Sequence, residues 1–147
     1  GIASGPEQEN IYASSILLGG QIKGKDCELY NIYHQGNFIK ATVDTPYFQI
    51  GEIKYGKPIM DRALTYATPL DQALRCSLIS FDSTIRSNVS VGMPLDVVVY
   101  KKDSLIIPKG KRVCEHDPYF EEISKQWSDT LKKGLQNLPD PTMDYFE

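Results

Sequence analysis

The stretch LISFDSTIRSNVSVGMPLDVVVY, residues 78–100, runs from an apolar helical pattern through a polar turn into an apolar strand. Large apolar residues recur at helical spacing before this stretch and through its first third, so we predict a helix that ends near Arg86. Ser87, Asn88 and Ser90 then supply the short polar side chains typical of a turn. The run LDVVVY, 95–100, is almost continuously apolar and predicts a strand buried on both faces.

Short strands are predicted before this helix. The runs IYASSILLGGQI (11–22) and CELYNIYHQGNF (27–38) are rich in β-branched and aromatic residues, and the segment 23–26 between them predicts a hairpin. The runs FIKAT (38–42) and YFQIG (47–51) predict two further strands.

Helix-start signals predict three helices. One follows Gly56, with Pro58 in its first turn. The second has Thr68 as its N-cap and Pro69 as its first residue, with Asp71 completing a capping box. The third is capped by Asp117 and ends before the proline at position 139.

The order of elements predicts the fold class. Two weaker strands, SLIIP (104–108) and KRVC (111–114), precede the last helix, so strands, two helices, strands and one helix follow one another. This order indicates a layered α+β fold, mainly of antiparallel strands, and not a repeating βαβ unit. We expect residues 1–147 to form a single region, with 139–147 as a loose tail.

Composition excludes several classes of function. The 147 residues carry a net charge of −3 and no block of Lys and Arg, so a nucleic-acid partner is not expected. No apolar run approaches the roughly 18 residues of a membrane span. The first ten residues do not resemble a secretion signal, and the three cysteines form no C-x-x-C. These features predict reduced thiols in the cytoplasm.

The segment GEIKYGKP, 51–58, is close to a phosphate-binding loop. Gly51, Gly56 and Lys57 have the spacing of that motif, but Pro58 stands where a Ser or Thr should hold Mg²⁺. Pro58 also lacks the N–H that a phosphate cradle uses. A glycine-bearing turn from strand to helix is the favoured interpretation, with a phosphate site as the alternative.

No metal or cofactor is predicted. The segment CEHD, 114–117, holds adjacent ligand-type residues, but neighbours on an extended chain point to opposite faces and cannot surround one ion.

The polar residues of the opening stretch have structural interpretations. Asp82 and Arg86 lie four apart on a helix and predict an i, i+4 ion pair, although Asp82 could also face a site. A serine hydrolase would need a base beside its nucleophile, and the sequence contains no G-x-S-x-G.

The segments LLGGQIKG, LYNIYHQGNFIKAT, PYFQIGEIKYGKPIMDR and LISFDSTIRSNVSVGMPLDVVVY, in this order, resemble the second half of a proteasome-type subunit, and specifically Anbu, the bacterial proteasome-related family. The resemblance covers most of residues 11–100. It implies the C-terminal half of a four-layer αββα sandwich of the N-terminal-nucleophile hydrolase superfamily. It also implies a threonine peptidase, whose nucleophile is a Thr at the mature N-terminus.

The resemblance implies which residues support that nucleophile. Because residue 1 is Gly and the likeness begins in the middle of the family's fold, we expect the nucleophile upstream and no catalytic residue in this chain. An ungapped match back from LDVVVY places Asn88 at the family's supporting Asp, and Ser90 or Val91 at its supporting Ser. Glu52, after Gly51, falls at a second supporting Ser. The implied supporting residues are therefore Glu52, Ser87, Asn88 and Ser90, with Asp82 and Gly51 as further candidates.

The implied partners follow from the family. We expect the N-terminal half of the same subunit, further copies in a homo-oligomer, and a peptide substrate. The alternative is a scaffold subunit of a self-assembling particle, without peptidase activity.

Overall fold

Short antiparallel strands and three helices follow one another along residues 14–147, the part of the chain that the computed structural model describes. They are β1 (Ile16–Gln21), β2 (Cys27–Ile32), β3 (Phe38–Lys40), α1 (Lys57–Ala63), α2 (Leu70–Ser87), β4 (Leu95–Val97), β5 (Lys111–Val113) and α3 (Pro118–Gln136). The predicted α+β class is confirmed. The start of the first predicted strand, 11–13, lies outside the described residues.

The first sheet is the predicted hairpin with a third strand added. β1 pairs with β2 in the register Leu17↔Asn31, and β2 pairs with β3 in the register Asn31↔Ile39. The 23–26 turn is closed by a bond from Lys25 N–H to the Ile22 carbonyl, at 2.9 Å. These contacts are local in sequence, which is why the pattern of residues predicts them.

Two predicted strands do not form. The segment 47–51 pairs with no strand among residues 14–147, and Gly51 at its end has a φ of +81°, which interrupts an extended chain. In the segment 104–108, Leu105 has a φ of +51° and Pro108 has no N–H to donate to a ladder. Both segments are apolar, but neither is extended and paired.

The predicted long strand LDVVVY is much shorter than expected. Only Leu95–Val97 forms β4, which pairs with β5 in the register Leu95↔Val113. Val98 is 63% exposed, so burial on both faces is wrong for the described residues. The reason is that β4 has a single, three-residue partner there, and nothing covers its continuation.

The start of α2 also differs from the prediction. The Thr68 hydroxyl accepts a hydrogen bond from Thr65 N–H at 2.8 Å, so it does not cap the helix. The N-cap is Pro69, the first helical residue is Leu70, and Asp71 forms an ion pair with Arg75 and not a capping box. The predicted end near Arg86 is confirmed within one residue.

The core lies between α2, α3 and the second sheet. Leu78, Leu95, Val113 and Phe120 are buried together there. The predicted cap of α3 is confirmed, because the Asp117 carboxylate accepts from Phe120 N–H at 3.0 Å. Within residues 14–147, no helix combines the length and the apolar character that a bilayer crossing requires.

The C-terminal tail, 139–147, contains a 3₁₀ helix at Met143–Tyr145, and every one of its side chains is exposed.

Candidate functional site

Glu52 is held by two hydrogen bonds. One carboxylate oxygen, Oε1, accepts from the backbone N–H of Lys54 at 3.0 Å. The other, Oε2, accepts from the side-chain amide of Asn88 at 3.0 Å. Gly51, in the left-handed region, turns the chain immediately before Glu52. The turn before α1 is therefore joined to the turn after α2, although 36 residues separate them.

Asn88 connects Glu52 to Ser90. Its Oδ1 accepts from both the backbone N–H of Ser90, at 2.9 Å, and the Ser90 hydroxyl, at 2.7 Å. Asn88 is also the C-cap of α2, with its own N–H donating to the Thr84 carbonyl at 2.9 Å. Since both ends of its amide are occupied, Asn88 has a fixed orientation.

The structure therefore brings three of the four predicted supporting residues together in one hydrogen-bonded chain: Glu52, Asn88 and Ser90. Ser87, the last residue of α2, is exposed and makes no side-chain hydrogen bond within residues 14–147. It is adjacent to Asn88 in the chain but is not part of the network.

A cavity of about 340 Å³ adjoins this network. It lies between β1, the 48–52 segment and α2, and Leu17, Phe48, Glu52, Thr84 and Val91 contribute to its walls. Gln49 also lines it, and the side-chain oxygen of Gln49 is buried without a donor among residues 14–147. Buried acceptors are normally paired, so this wall can receive a donor from another segment.

The network can accept hydrogen bonds from a cationic group. Glu52 retains free lone pairs on both oxygens, and Ser90, which donates to Asn88, can still accept on its hydroxyl oxygen. Asn88 orients its two neighbours but cannot take a proton.

Asp82 does not belong to this network. It is only 6% exposed and faces α3, where it accepts from the Ser124 hydroxyl at 2.7 Å. The predicted ion pair with Arg86 is confirmed at 3.3 Å, and Arg86 also donates to Ser124 at 2.9 Å. These three residues join α2 to α3.

In the loop that resembles a phosphate site, the lysine is already paired with a carboxylate of α1. Lys57 Nζ lies 3.0 Å from both carboxylate oxygens of Asp61, and 5.7 Å from the ring centroid of Tyr47. Tyr47 also donates to Asp61. These bonds hold the pKa of Asp61 below its ordinary value and raise the pKa of Lys57. A phosphate would have to break this ion pair.

The adjacent ligand-type residues at 114–117 do not converge. His116 Nδ1 lies 3.0 Å from Glu121, and Asp117 caps α3. No cluster of three or more His, Cys, Asp or Glu side chains within residues 14–147 is placed to hold a metal ion.

Sequence reasoning missed three features of the site: the Lys54 N–H, the unpaired Gln49 oxygen and the wall residue Phe48. The Lys54 contact depends on a two-residue turn that Gly51 would have suggested. The other two lie in a segment predicted as a strand, and no sequence signal marks them.

The order of antiparallel strands and three helices agrees with the class that the resemblance implies: half of the layered sandwich of the N-terminal-nucleophile hydrolases. Among solved structures, the chain matches the Anbu complex from Pseudomonas aeruginosa, solved as a helical assembly, with 62% identity over 89% of this chain and a TM-score of 0.85. The chain belongs to the Anbu family of proteasome-related subunits, which confirms the resemblance.

Two further structures agree. Anbu (ancestral beta-subunit) from Yersinia bercovieri is 57% identical over 88% of this chain, with a TM-score of 0.83. An Anbu Gly-1 mutant from Hyphomicrobium sp. strain MC1 is 44% identical over 93% of this chain, with a TM-score of 0.87. Neither a protein-family profile nor a curated protein sequence matches.

The chain spans little more than half the length of these structures. It covers 54% of the Pseudomonas and Yersinia chains and 59% of the Hyphomicrobium chain.

Proposed function

We propose that this chain is the C-terminal half of a proteasome-type threonine peptidase subunit, and that it supplies core and supporting residues to a nucleophile encoded outside these 147 residues. The observation that carries the proposal is the hydrogen-bonded chain Glu52–Asn88–Ser90 beside an open cavity. A threonine at a chain's N-terminus uses its own α-amino group as base. That amine needs acceptors that orient it.

Glu52 and Ser90 have the chemistry to hold such an amine. Glu52 is a carboxylate and Ser90 a hydroxyl acceptor, and Asn88 fixes the position of both. Asn88 stands where the resemblance places an Asp, so the proposal assigns the missing carboxylate to Glu52. Its partners are the N-terminal half of the subunit, further copies of the chain and a peptide substrate, in the cytoplasm.

A scaffold role without peptidase activity is the second candidate. It is favoured by large exposed apolar side chains on the first sheet, such as Leu18 and Phe38, and just after β4, such as Val98, which suit burial in an assembly. The relative from Pseudomonas aeruginosa forms a helical assembly, which also supports this candidate.

Peptide hydrolysis by the subunit in its natural assembly separates the two roles. We expect Glu52→Gln to lower kcat roughly ten- to hundredfold, because a hydrogen bond between charged groups, here the one that would hold the amine, is worth about 1.5–3 kcal/mol. Asn88→Ala should lower it less, because Asn88 only orients its neighbours. Glu115→Gln, which removes the same charge at an exposed position outside the network, is the matched control.

The outcomes are distinct. A wild-type assembly that hydrolyses no peptide would favour the scaffold role. Hydrolysis that Glu52→Gln leaves unchanged would overturn the assignment of Glu52 while keeping the peptidase.

The chain by itself should not react with inhibitors of threonine peptidases. Because supporting groups cannot act without a nucleophile, a β-lactone or an epoxyketone is expected to label no residue in it. Mass spectrometry of the treated chain tests this, and a stable adduct on any serine or threonine would refute the proposal.

A further inference from the structure

The segment 46–52, which carries Glu52, has no attachment through its backbone. Among residues 14–147, these residues make no backbone–backbone hydrogen bond, whereas the chain on either side of them does. The Thr42 N–H donates to the Thr45 carbonyl before the segment, and the Lys57 N–H donates to the Ile53 carbonyl after it. We call 46–52 the Glu52 segment. Its position depends on side-chain contacts.

Two side-chain hydrogen bonds join the Glu52 segment to the helices. Near one end, the Tyr47 hydroxyl donates to the Asp61 carboxylate of α1. At the other end, Glu52 accepts from the side-chain amide of Asn88, just after α2, at 3.0 Å. A third bond, from the Lys54 N–H to Glu52, is local. The segment is therefore held between α1 and α2 at two points.

The Glu52 segment has a cavity on each side. Phe48 and Gln49 line the cavity of about 340 Å³ beside the polar network. The same two residues line a second cavity of about 350 Å³, whose walls include Tyr47 and Asp61. Close packing is what normally fixes a side chain in one place, and within residues 14–147 the packing around this segment is incomplete. The bond between Tyr47 and Asp61 is thus an important restraint on it.

Asp61 is a fixed anchor for this bond. Lys57 Nζ, one turn earlier on α1, lies 3.0 Å from both carboxylate oxygens of Asp61. α1 is held against α2, because Met60 is buried and its sulfur lies 3.6 Å from the sulfur of Cys76. The hydrogen bond from Tyr47, and then that from Lys57, hold the pKa of Asp61 below its ordinary value of 3.8. The anchor is therefore ionised near neutral pH.

We infer that Asp61, acting through Tyr47, is a positioning residue for Glu52, and that it sets where the Glu52 carboxylate lies relative to Asn88 and the cavity. This role rests on the proposed function of Glu52, because Asp61 affects the reaction only through that carboxylate. The Asp61 side chain is 49% exposed, and contacts at such exposure contribute little to stability. Loss of the bond should therefore change the site and not the fold.

A double-mutant cycle on peptide hydrolysis by the subunit in its natural assembly tests this inference. Tyr47→Phe removes only the hydroxyl, and we expect it to lower kcat roughly three- to tenfold, the effect of one hydrogen bond, with KM little changed. In a Glu52→Gln background the same change should lower kcat less than about twofold, because residues that act as a unit are not additive. Tyr66→Phe, at an exposed tyrosine outside the segment, is the matched control.

Substitutions of the anchor give a second comparison. Asp61→Ala removes the acceptor and should lower kcat about as much as Tyr47→Phe. Asp61→Asn keeps an oxygen that can accept from Tyr47, so it should retain part of the lost rate. Asp71→Ala is the matched control, because Asp71 forms the same kind of i, i+4 ion pair on α2, with Arg75.

Hydrogen exchange of the full subunit, followed by mass spectrometry, gives a readout that requires no activity. The backbone N–H groups of Lys54 and Ser90 donate to the side chains of Glu52 and Asn88, so their exchange reports whether the network is formed. Tyr47→Phe should speed exchange in the peptides that contain Lys54 and Ser90 at least about threefold. Tyr66→Phe should leave it unchanged, and both variants should melt within about 2 °C of the wild type.

Two kinetic results would overturn the inference. One is equal kcat for Tyr47→Phe and Tyr66→Phe. The other is a loss of kcat by the same factor with and without Glu52→Gln, which would show that Tyr47 acts independently of Glu52.

The exchange rates separate this inference from the proposed function. An assembly that hydrolyses no peptide would contradict the peptidase role. Faster exchange at Lys54 and Ser90 in Tyr47→Phe would then still support Asp61 as the residue that positions Glu52, and unchanged exchange would refute it.

Discussion

At the scale of single residues, carboxylates in this chain have different roles because of what surrounds them. Glu52 is exposed and joined to an amide, Asp82 is buried between two helices, and Asp117 caps a helix. All three residues were singled out from the sequence. The partner of Asp82 was only half predictable, because Arg86 is four residues away whereas Ser124 is 42 residues away.

Ser124 should matter for stability more than its small size suggests. Ser124→Ala removes the hydroxyl that donates to buried Asp82 and accepts from Arg86, so we expect it to lower the free energy of unfolding by about 1–3 kcal/mol. Urea unfolding of the full subunit measures this. Ser128→Ala, one turn further along α3, is the control and should change little. If Ser124→Ala and Ser128→Ala have the same free energy of unfolding, the polar link between the helices is not stabilising.

Asp117 should make stability depend on pH. The N–H of Phe120 and, second, the Lys111 ammonium hold the pKa of Asp117 below its ordinary value of 3.8. A carboxyl with a lowered folded pKa stabilises the fold above its unfolded pKa, and this stabilisation is lost as pH falls through the folded pKa. Asp117→Asn should therefore keep the cap but lose this acid dependence. Asp117→Ala should lose both, with a melting temperature lower by roughly 3–6 °C near neutral pH.

Thermal melting of the three proteins, each as the full subunit, between about pH 6 and pH 2 makes the comparison, over the range in which carboxyl groups titrate. An Asp117→Asn variant with the same acid dependence as the wild type would show that Asp117 does not cause it.

At the scale of elements, structure that depends on residues close in sequence was predicted well. Pairing between distant segments was not. The hairpin β1–β2 and the start of α3 depend on residues close in sequence, and both are confirmed. The segments 47–51 and 104–108 are as apolar as real strands, but a strand needs a partner that composition does not reveal. Thr68 does not cap α2, because its hydroxyl oxygen accepts a hydrogen bond from the N–H of Thr65, three residues earlier. Likewise Glu52, Asn88 and Ser90 were found through the family resemblance, not through their spacing.

The contact between α1 and α2 requires a glycine. A Cβ on Gly56 would lie 2.1 Å from the buried hydroxyl oxygen of Ser80, so Gly56→Ala should cost about 1–3 kcal/mol of unfolding free energy through overpacking. Adding Ser80→Ala removes that oxygen and should recover most of the loss. Gly92→Ala, where a Cβ meets nothing within 4 Å, is the control. If the double variant is no more stable than Gly56→Ala, the close approach is not the cause.

At the scale of the whole molecule, the described residues leave large apolar side chains uncovered on the first sheet and in the segment that follows β4. Ile107 is 92% exposed, and Leu18, Phe38 and Val98 are each more than half exposed. Apolar faces of several hundred Å² carry several kcal/mol of unrealised burial at roughly 25 cal/mol per Å², which rivals the whole net stability of a domain. This is the condition expected of one half of a layered sandwich.

The most direct test of this account is sedimentation velocity of the 147-residue chain by itself, at about 10 µM, well below the concentration at which weak contacts between folded proteins dominate. We expect self-associated species or loss of soluble protein, because uncovered apolar side chains will pack against other copies and unpaired strand edges will pair with them. A stable, compact monomer would contradict the account, since it would show that these residues form a self-sufficient domain.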